Sequence, residues 1–186
     1  MNAKDLNIND QLSHIIFITG GTKSGKSEFA EHLAKGVEKL SYVALSVNNR
    51  DDKDWQEKIR LHQKRRPKYW KLVETTDLLN TLREEDGPLL IDSIGGFVME
   101  SIDSQKNEWL SKMYSLISLL KKRRNLTFIV GEQVGWSLVS EYKIGNTYIE
   151  RIGELQKRIT KISKDNWLAI NGRAIKIDEI SIEIPT

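Results

Sequence analysis

The chain has 186 residues, of which 39% are hydrophobic and 30% are charged, and its formal net charge is +3. This length allows one domain with a buried core, and the composition is typical of a globular protein. Cysteine is absent, which excludes disulfides, thiolate metal sites and a cysteine nucleophile. The positive charge is mild for a nucleic-acid binder but suits a small anionic ligand.

The first 13 residues are polar and are predicted to form an N-terminal extension, followed by a single domain over residues 14–186. The extension lacks the apolar segment of a secretory signal. The sequence also has no run of about 18 apolar residues, so no membrane-spanning helix is expected. We therefore expect a cytoplasmic enzyme or binding protein.

Strand-like and helix-like segments alternate along the chain. The predicted order is strand 14–19, helix 26–36, strand 41–46, helix 52–64, strand 69–74, helix 77–84, strand 88–93, helix 104–124, strand 126–130 and helix 144–163. Asn171-Gly172 lies within the β-rich segment 167–177 and predicts a hairpin, because both turn residues need positive φ. The order predicts an α/β fold whose sheet is mainly parallel, with a C-terminal antiparallel hairpin.

Residues 20–27, Gly-Gly-Thr-Lys-Ser-Gly-Lys-Ser, match the pattern of a phosphate-binding loop between a strand and a helix. The glycines let the backbone N–H groups turn inward around phosphate oxygens, and the helix N-terminus adds positive potential. Lys26 is expected to contact the β- and γ-phosphates, and the Ser27 hydroxyl is expected to ligate Mg²⁺.

Asp92 ends the apolar run Pro-Leu-Leu-Ile-Asp. A parallel strand beside the loop would bring its carboxylate close to the magnesium ion of a bound nucleoside triphosphate. The alternative is an acid that only ends a strand or caps a helix.

His62 precedes the basic residues 64–66, and three interpretations of this segment stay open from the residues alone. It is a solvated basic helix end with an incidental histidine, or it binds nucleic acid with Tyr69 and Trp70 as stacking residues. In the third interpretation, His62 attacks a phosphorus atom and forms a covalent phosphoramidate. The nearby guanidinium groups would then stabilise the phosphoryl charge and keep the imidazole neutral.

The other basic run, Lys-Lys-Arg-Arg at residues 121–124, closes a predicted helix. Cations suit a helix C-terminus, so this run is interpreted as a solvated helix end. His14 and His32 are expected to be structural.

Two segments carry a resemblance to one enzyme family. Residues 19–34, Thr-Gly-Gly-Thr-Lys-Ser-Gly-Lys-Ser-Glu-Phe-Ala-Glu-His-Leu-Ala, are close to the pattern TGG-x-[RK]-SGKS-x-x-AE. Residues 52–74 keep the spacing of D-x-E-M-x-x-R-I-x-x-H-x-x-x-R-P-x-x-W-x-x-x-E, with His62 at the histidine of the pattern. Both segments resemble the bifunctional adenosylcobinamide kinase / adenosylcobinamide-phosphate guanylyltransferase family of cobalamin biosynthesis.

The resemblance implies a RecA-like P-loop NTPase fold and two reactions. The enzyme would phosphorylate adenosylcobinamide with ATP or GTP. It would then take GMP from GTP onto His62 and pass it to adenosylcobinamide phosphate, which gives adenosyl-GDP-cobinamide. Family members form homotrimers, and neither a nucleic-acid partner nor a membrane span is expected.

The resemblance also implies the site residues. His62 and Lys26 would be catalytic, and Ser27 and Asp92 would hold Mg²⁺. The nucleotide contacts would be Gly20, Gly21, Thr22, Lys23, Ser24, Gly25, Lys26, Ser27, Ala44, Leu45, Ser46, Gln63, Lys64, Arg65, Arg66, Glu74 and Asp92.

The second half departs from the family pattern at several positions. Gly95 stands where the family has threonine, Glu132-Gln133 stands where it has Asn-Glu, and Tyr148-Ile149 stands where it has Phe-Arg. These positions are expected at the acceptor site or at trimer contacts. The departures leave two alternatives open: a P-loop kinase of another small molecule, and a nucleotide-sensing protein that has lost one or both activities.

Overall fold

The computed structural model describes residues 14–45, 66–136 and 140–185. The elements in chain order are β1 (Ile15–Gly20), α1 (Lys26–Leu33), β2 (Ser41–Leu45), β3 (Lys71–Thr75), α2 (Leu78–Glu84), β4 (Leu89–Asp92), α3 (Gly95–Glu100), α4 (Lys106–Lys122), β5 (Thr127–Glu132), α5 (Lys143–Ile162), β6 (Asp165–Ile170) and β7 (Arg173–Lys176). The helix predicted at 52–64 lies outside the described residues. Within the described ranges, no helix is both long and apolar enough to cross a membrane.

The strands form one seven-stranded sheet in the order β3-β2-β4-β5-β1-β6-β7. Every neighbouring pair is parallel except β6 and β7, which pair antiparallel. Asn171 and Gly172 join this last pair with φ values of 50° and 73°. The predicted α/β fold and its C-terminal hairpin are thus confirmed, since the turn uses the positive φ that the residue pair favours.

Both faces of the sheet are covered, as the apolar runs predict for buried parallel strands. Alternate side chains of β1 point to opposite faces: Ile15 and Phe17 pack with α2, α4 and α5, whereas Ile16 and Ile18 pack with α1. Every residue of β1 is buried and the strand lies between β5 and β6, so the phosphate loop begins at the end of an interior strand.

Two features were not predicted. Helix α3 begins at Gly95-Gly96, a pair with low helix propensity. A Cβ on Gly96 would lie 2.1 Å from the carbonyl oxygen of Leu45, so close packing against the end of β2 requires glycine there. The segment predicted as a simple hairpin also extends the parallel sheet, because β6 pairs with β1 as well as with β7.

Arg123 corrects the interpretation of residues 121–124 as a solvated helix end. Its guanidinium donates hydrogen bonds to the backbone carbonyls of Leu82, Glu85 and Gly87 and to the Thr127 hydroxyl. Burial lowers the pKa of Arg123 from its ordinary value. The side chain therefore ties the end of α4 to the connection between α2 and β4, whereas Arg124 is exposed.

Replacing Arg123 with lysine should lower the free energy of unfolding by about 1.5–3 kcal/mol, the usual range for hydrogen bonds to a charged group. An ammonium group cannot reproduce the fork of donors that reaches several carbonyls at once. Urea denaturation measures the change, and Arg124→Lys is the matched control, expected to be neutral. Equal stability of the two variants would contradict the bracing role.

Candidate functional site

The phosphate loop runs from the end of β1 to the start of α1 and is fixed by close backbone contacts. A Cβ on Gly20 would lie 2.4 Å from the carbonyl oxygen of Ala169 in β6, and Gly25 has a φ of 93°. The Gly172 N–H donates to the Ser24 carbonyl oxygen at 3.1 Å, so the turn of the C-terminal hairpin supports the loop. Lys26 Nζ reaches back across the loop and donates to the Gly21 carbonyl oxygen at 3.2 Å.

Ser27 and Asp92 meet at the C-terminal edge of the sheet. The Ser27 hydroxyl donates to Asp92 Oδ1 at 3.2 Å, although the residues are 65 positions apart in the chain. A hydroxyl and a carboxylate beside a phosphate loop are the oxygen ligands that Mg²⁺ prefers, with phosphate oxygens and water completing its shell. Among the described residues there is no cluster of three or more His, Cys, Asp or Glu side chains that could hold a metal. The Ser27 hydroxyl and the Asp92 carboxylate, next to the phosphate loop, fit a metal that is bound together with a nucleotide.

Tyr42 holds the other oxygen of the same carboxylate. Its hydroxyl donates to Asp92 Oδ2, and its ring is 1% exposed. Burial, followed by the nearby Asp92 charge, raises the pKa of Tyr42 far above its ordinary value, so the phenol stays protonated and remains a donor. Nothing in the sequence of β2 indicated this role, because a tyrosine in a buried strand is normally a packing residue.

Arg66 and Trp70 both pack against the Tyr42 ring. The Arg66 guanidinium carbon lies 3.3 Å from the centre of the Tyr42 ring, and the Trp70 ring stacks on the same tyrosine at 6.5 Å. Arg66 Nε also lies 3.9 Å from Glu31 Oε1 of α1. Arg66, predicted as a nucleotide contact, is thus placed against Tyr42 and α1, next to the Ser27–Asp92 pair.

Glu132 ends β5 and brings a second carboxylate to the same edge. The Ser93 hydroxyl donates to Oε1, and the Gly95 N–H donates to Oε2 at 3.2 Å. Burial raises the pKa of Glu132 and the charge of Asp92 adds to this, whereas the Ser93 hydrogen bond and the Lys26 charge oppose it. The sequence singled out Glu132 only as a departure from a pattern, although its position at the end of a predicted strand was a signal for a role at the site.

Gln156 joins the ends of β1 and β5 from helix α5. Its buried side-chain amide donates to the Glu132 carbonyl oxygen at 2.8 Å and accepts from Thr19 and Gln133 at 3.3 and 3.2 Å. All three bonds are made by one amide because it offers both donors and an acceptor. Sequence reasoning did not identify Gln156, whose spacing in α5 is that of an ordinary core position.

The remaining predicted contacts lie on neighbouring strands or outside the described residues. Ala44 of β2 is in register with Asp92 on one side and with Glu74 of β3 on the other, and Glu74 is exposed. Leu45 ends β2. Thr22 and Lys23 are exposed on the loop. The predictions for Ser46, His62, Gln63, Lys64 and Arg65 lie outside the described residues.

Solved structures share the fold of this chain. A Pyrococcus horikoshii protein, Project ID PH0250, matches with a TM-score of 0.55 and 8% identity, covering all of this chain and 98% of that one. The ATPase EscN of the enteropathogenic Escherichia coli type III secretion system matches with a TM-score of 0.53 and 13% identity, covering 84% of this chain and 42% of that one. Together with the loop geometry, these matches confirm the predicted P-loop NTPase fold.

Sequence comparison gives the family. A model of the family described as cobinamide kinase / cobinamide phosphate guanyltransferase matches residues 16–177. The bifunctional adenosylcobalamin biosynthesis protein CobU of Escherichia coli strain K12 is 25% identical over 181 residues, which span 88% of this chain and 99% of that protein. Its counterpart CobP of Pseudomonas aeruginosa is 28% identical over 153 residues, which span 77% of this chain and 86% of that protein. The chain therefore belongs to the cobinamide kinase / cobinamide phosphate guanyltransferase family.

Proposed function

We propose that the protein is a bifunctional transferase of cobalamin biosynthesis. It phosphorylates adenosylcobinamide with ATP or GTP, then transfers GMP from GTP to adenosylcobinamide phosphate and forms adenosyl-GDP-cobinamide. The observation that carries this proposal is the Ser27–Asp92 pair at the phosphate loop, in a chain that the family model matches over residues 16–177. The relatives named above are bifunctional enzymes of the same pathway.

In the kinase step, the loop backbone and Lys26 bind the triphosphate and stabilise charge on its oxygens. Ser27 and Asp92 would hold Mg²⁺, which would supply further neutralisation of the phosphate charge. The hydroxyl of adenosylcobinamide attacks the γ-phosphorus, and the nucleoside diphosphate leaves.

In the guanylyl step, the imidazole of His62 attacks the α-phosphorus of GTP and pyrophosphate leaves. Two described positions on either side of this segment support the assignment. The chain leaves β2 at Leu45, on the edge of the sheet that carries the loop, and it returns at Arg66, which lies over the Tyr42 ring. The described residues that flank the segment, Leu45 and Arg66, therefore both lie near Asp92.

Purified protein incubated with GTP labelled in the α-phosphate and Mg²⁺ should form a covalent GMP adduct that is acid-labile and base-stable, as a phosphoramidate is. His62→Ala should abolish the adduct and leave phosphorylation of adenosylcobinamide within about threefold, because the γ-phosphoryl transfer needs no histidine nucleophile. The matched control is His32→Ala on the exposed face of α1. An adduct that survives in His62→Ala would refute the assignment of the nucleophile.

Tyr42→Phe should raise the Mg²⁺ concentration needed for half-maximal kinase activity by about 10- to 100-fold, the usual cost of losing a residue that orients a metal ligand. The phenylalanine ring keeps the packing but leaves Asp92 Oδ2 without its donor. Asp92→Asn should lose most activity at every Mg²⁺ concentration. Tyr114→Phe, on the exposed face of α4, serves as the control. An unchanged Mg²⁺ requirement in Tyr42→Phe would show that this hydrogen bond does not orient the carboxylate.

A homotrimer, a cytoplasmic location and the absence of a nucleic-acid partner stay predictions. They are supported by the family resemblance and by the mild charge of the chain. Light scattering on the purified protein measures the number of copies, and nucleotide hydrolysis with and without added RNA or DNA tests for a nucleic-acid partner.

A further inference from the structure

Glu132 lies at the end of β5, between the strand that leads into the phosphate loop and the strand that ends at Asp92. β5 is flanked by β1 and β4, and Glu132 is in register with Gly20, the first residue of the loop. Asp92 ends the strand on the other side. In sheets of this type, ligands bind at the carboxyl ends of the strands. The Glu132 residue is half-buried.

The carboxylate is oriented by hydrogen-bond donors that leave part of it free. Ser93 donates to Oε1 and the Gly95 N–H donates to Oε2. A carboxylate offers about four acceptor positions, so these two hydrogen bonds leave room for another donor at the site. This donor geometry favours the ionised form, which is the form that accepts a proton.

Gly95 provides the space that this arrangement needs. A Cβ at this position would lie 2.6 Å from Glu132 Oε2 and 2.2 Å from the Tyr148 hydroxyl. A Cβ at position 95 would therefore displace both side chains. Three positions at which the sequence departs from the family pattern, Gly95, Glu132 and Tyr148, are therefore one structural unit beside the phosphate loop.

The charges around Glu132 set its proton affinity. Lys26 of α1 favours the ionised carboxylate, whereas Asp92 of β4 and the burial of the group disfavour it. Tyr148 of α5 stays neutral, because burial and the Glu132 charge both raise its pKa. The net effect is that the pKa of Glu132 is raised above its ordinary value. A carboxylate with a raised pKa is a stronger base and is better matched to neutral pH.

We propose that Glu132 is the catalytic base of the phosphoryl-transfer step, a role that rests on the kinase activity proposed above. Its carboxylate accepts the proton of the acceptor hydroxyl as the hydroxyl oxygen forms a bond to the γ-phosphorus. The bond between the γ-phosphorus and the bridging oxygen breaks, and the nucleoside diphosphate leaves with the electron pair. The proton passes from Glu132 to water after product release. Ser93 is a positioning residue that orients the carboxylate.

The two reactions of the protein provide an internal control. A neutral imidazole attacks phosphorus through its lone pair, so forming the GMP adduct requires no base to remove an acceptor hydroxyl proton. A substitution that removes only the base therefore separates the two reactions, whereas one that disturbs the loop or Asp92 slows both.

The experiment compares Glu132→Gln with the wild-type full-length chain in adenosylcobinamide phosphorylation and in single-turnover adduct formation from GTP. The expected result is a fall in kinase kcat of about 100-fold or more, the lower range for loss of a general base, with adduct formation changed by less than about threefold. The matched control is Glu84→Gln, on the exposed face of α2, with both rates unchanged.

The pH profile gives a second readout that a purely structural role would not move. Kinase kcat in the wild type should fall at low pH as Glu132 is protonated, and this limb should disappear in Glu132→Gln. Ser93→Ala removes a donor that stabilises the carboxylate, so the pKa of Glu132 rises and the limb should move to higher pH.

The outcomes separate this inference from the proposed function. A wild type that phosphorylates no adenosylcobinamide would overturn the proposed function and, with it, the role of Glu132. A wild type that is active while Glu132→Gln retains its kinase rate would overturn the catalytic base alone. Equal losses in both reactions would also overturn it, since they indicate a structural role.

Discussion

The site depends on one constraint: the carboxyl ends of β1, β5 and β4 have to lie side by side at one edge of the sheet. The strands are parallel and buried on both faces, so their order and register are fixed by packing on each side. Adjacent strands lie about 4.8 Å apart, which places the phosphate loop, Glu132 and Asp92 within roughly 10 Å. A one-residue slip of any of these strands would turn its terminal side chain to the opposite face.

Asp92 connects the parts of the site that the two reactions would use. One of its oxygens accepts from Ser27 at the start of α1, and the other accepts from Tyr42. Arg66, at the end of the segment that contains His62, covers the Tyr42 ring. Side chains from α1 and β2 therefore meet at a single carboxylate, and Arg66 packs on the tyrosine that contacts it.

Three positions in the second half of the chain that differ from the family pattern share one physical explanation in the folded protein. Gly95, Glu132 and Tyr148 are up to 53 positions apart in sequence, yet a Cβ on Gly95 would collide with the other two side chains. Removing a side chain at one position makes room for a carboxylate and a phenol at the other two. Glu132 is also close enough to Lys26 and Asp92 for both charges to act on its pKa.

The sequence by itself determined the local parts. These are the apolar strands, the phosphate loop with Lys26 and Ser27, the acid at the end of β4, the Asn171-Gly172 turn and the family, because each rests on residues that are close in the chain. Tertiary structure decided which distant side chains meet. Tyr42 at Asp92, Gln156 across β1 and β5, Arg123 on the carbonyls of another connection, and Ser93 at Glu132 are pairs set by strand order and helix packing. Helix α3 belongs to the same class, since its glycines disfavour a helix locally and are required by the closeness of β2. The periodicity of a sequence predicts which face of one helix or strand is buried. The site, in contrast, is formed by side chains at the ends of several elements, and their meeting depends on the packing of the whole sheet.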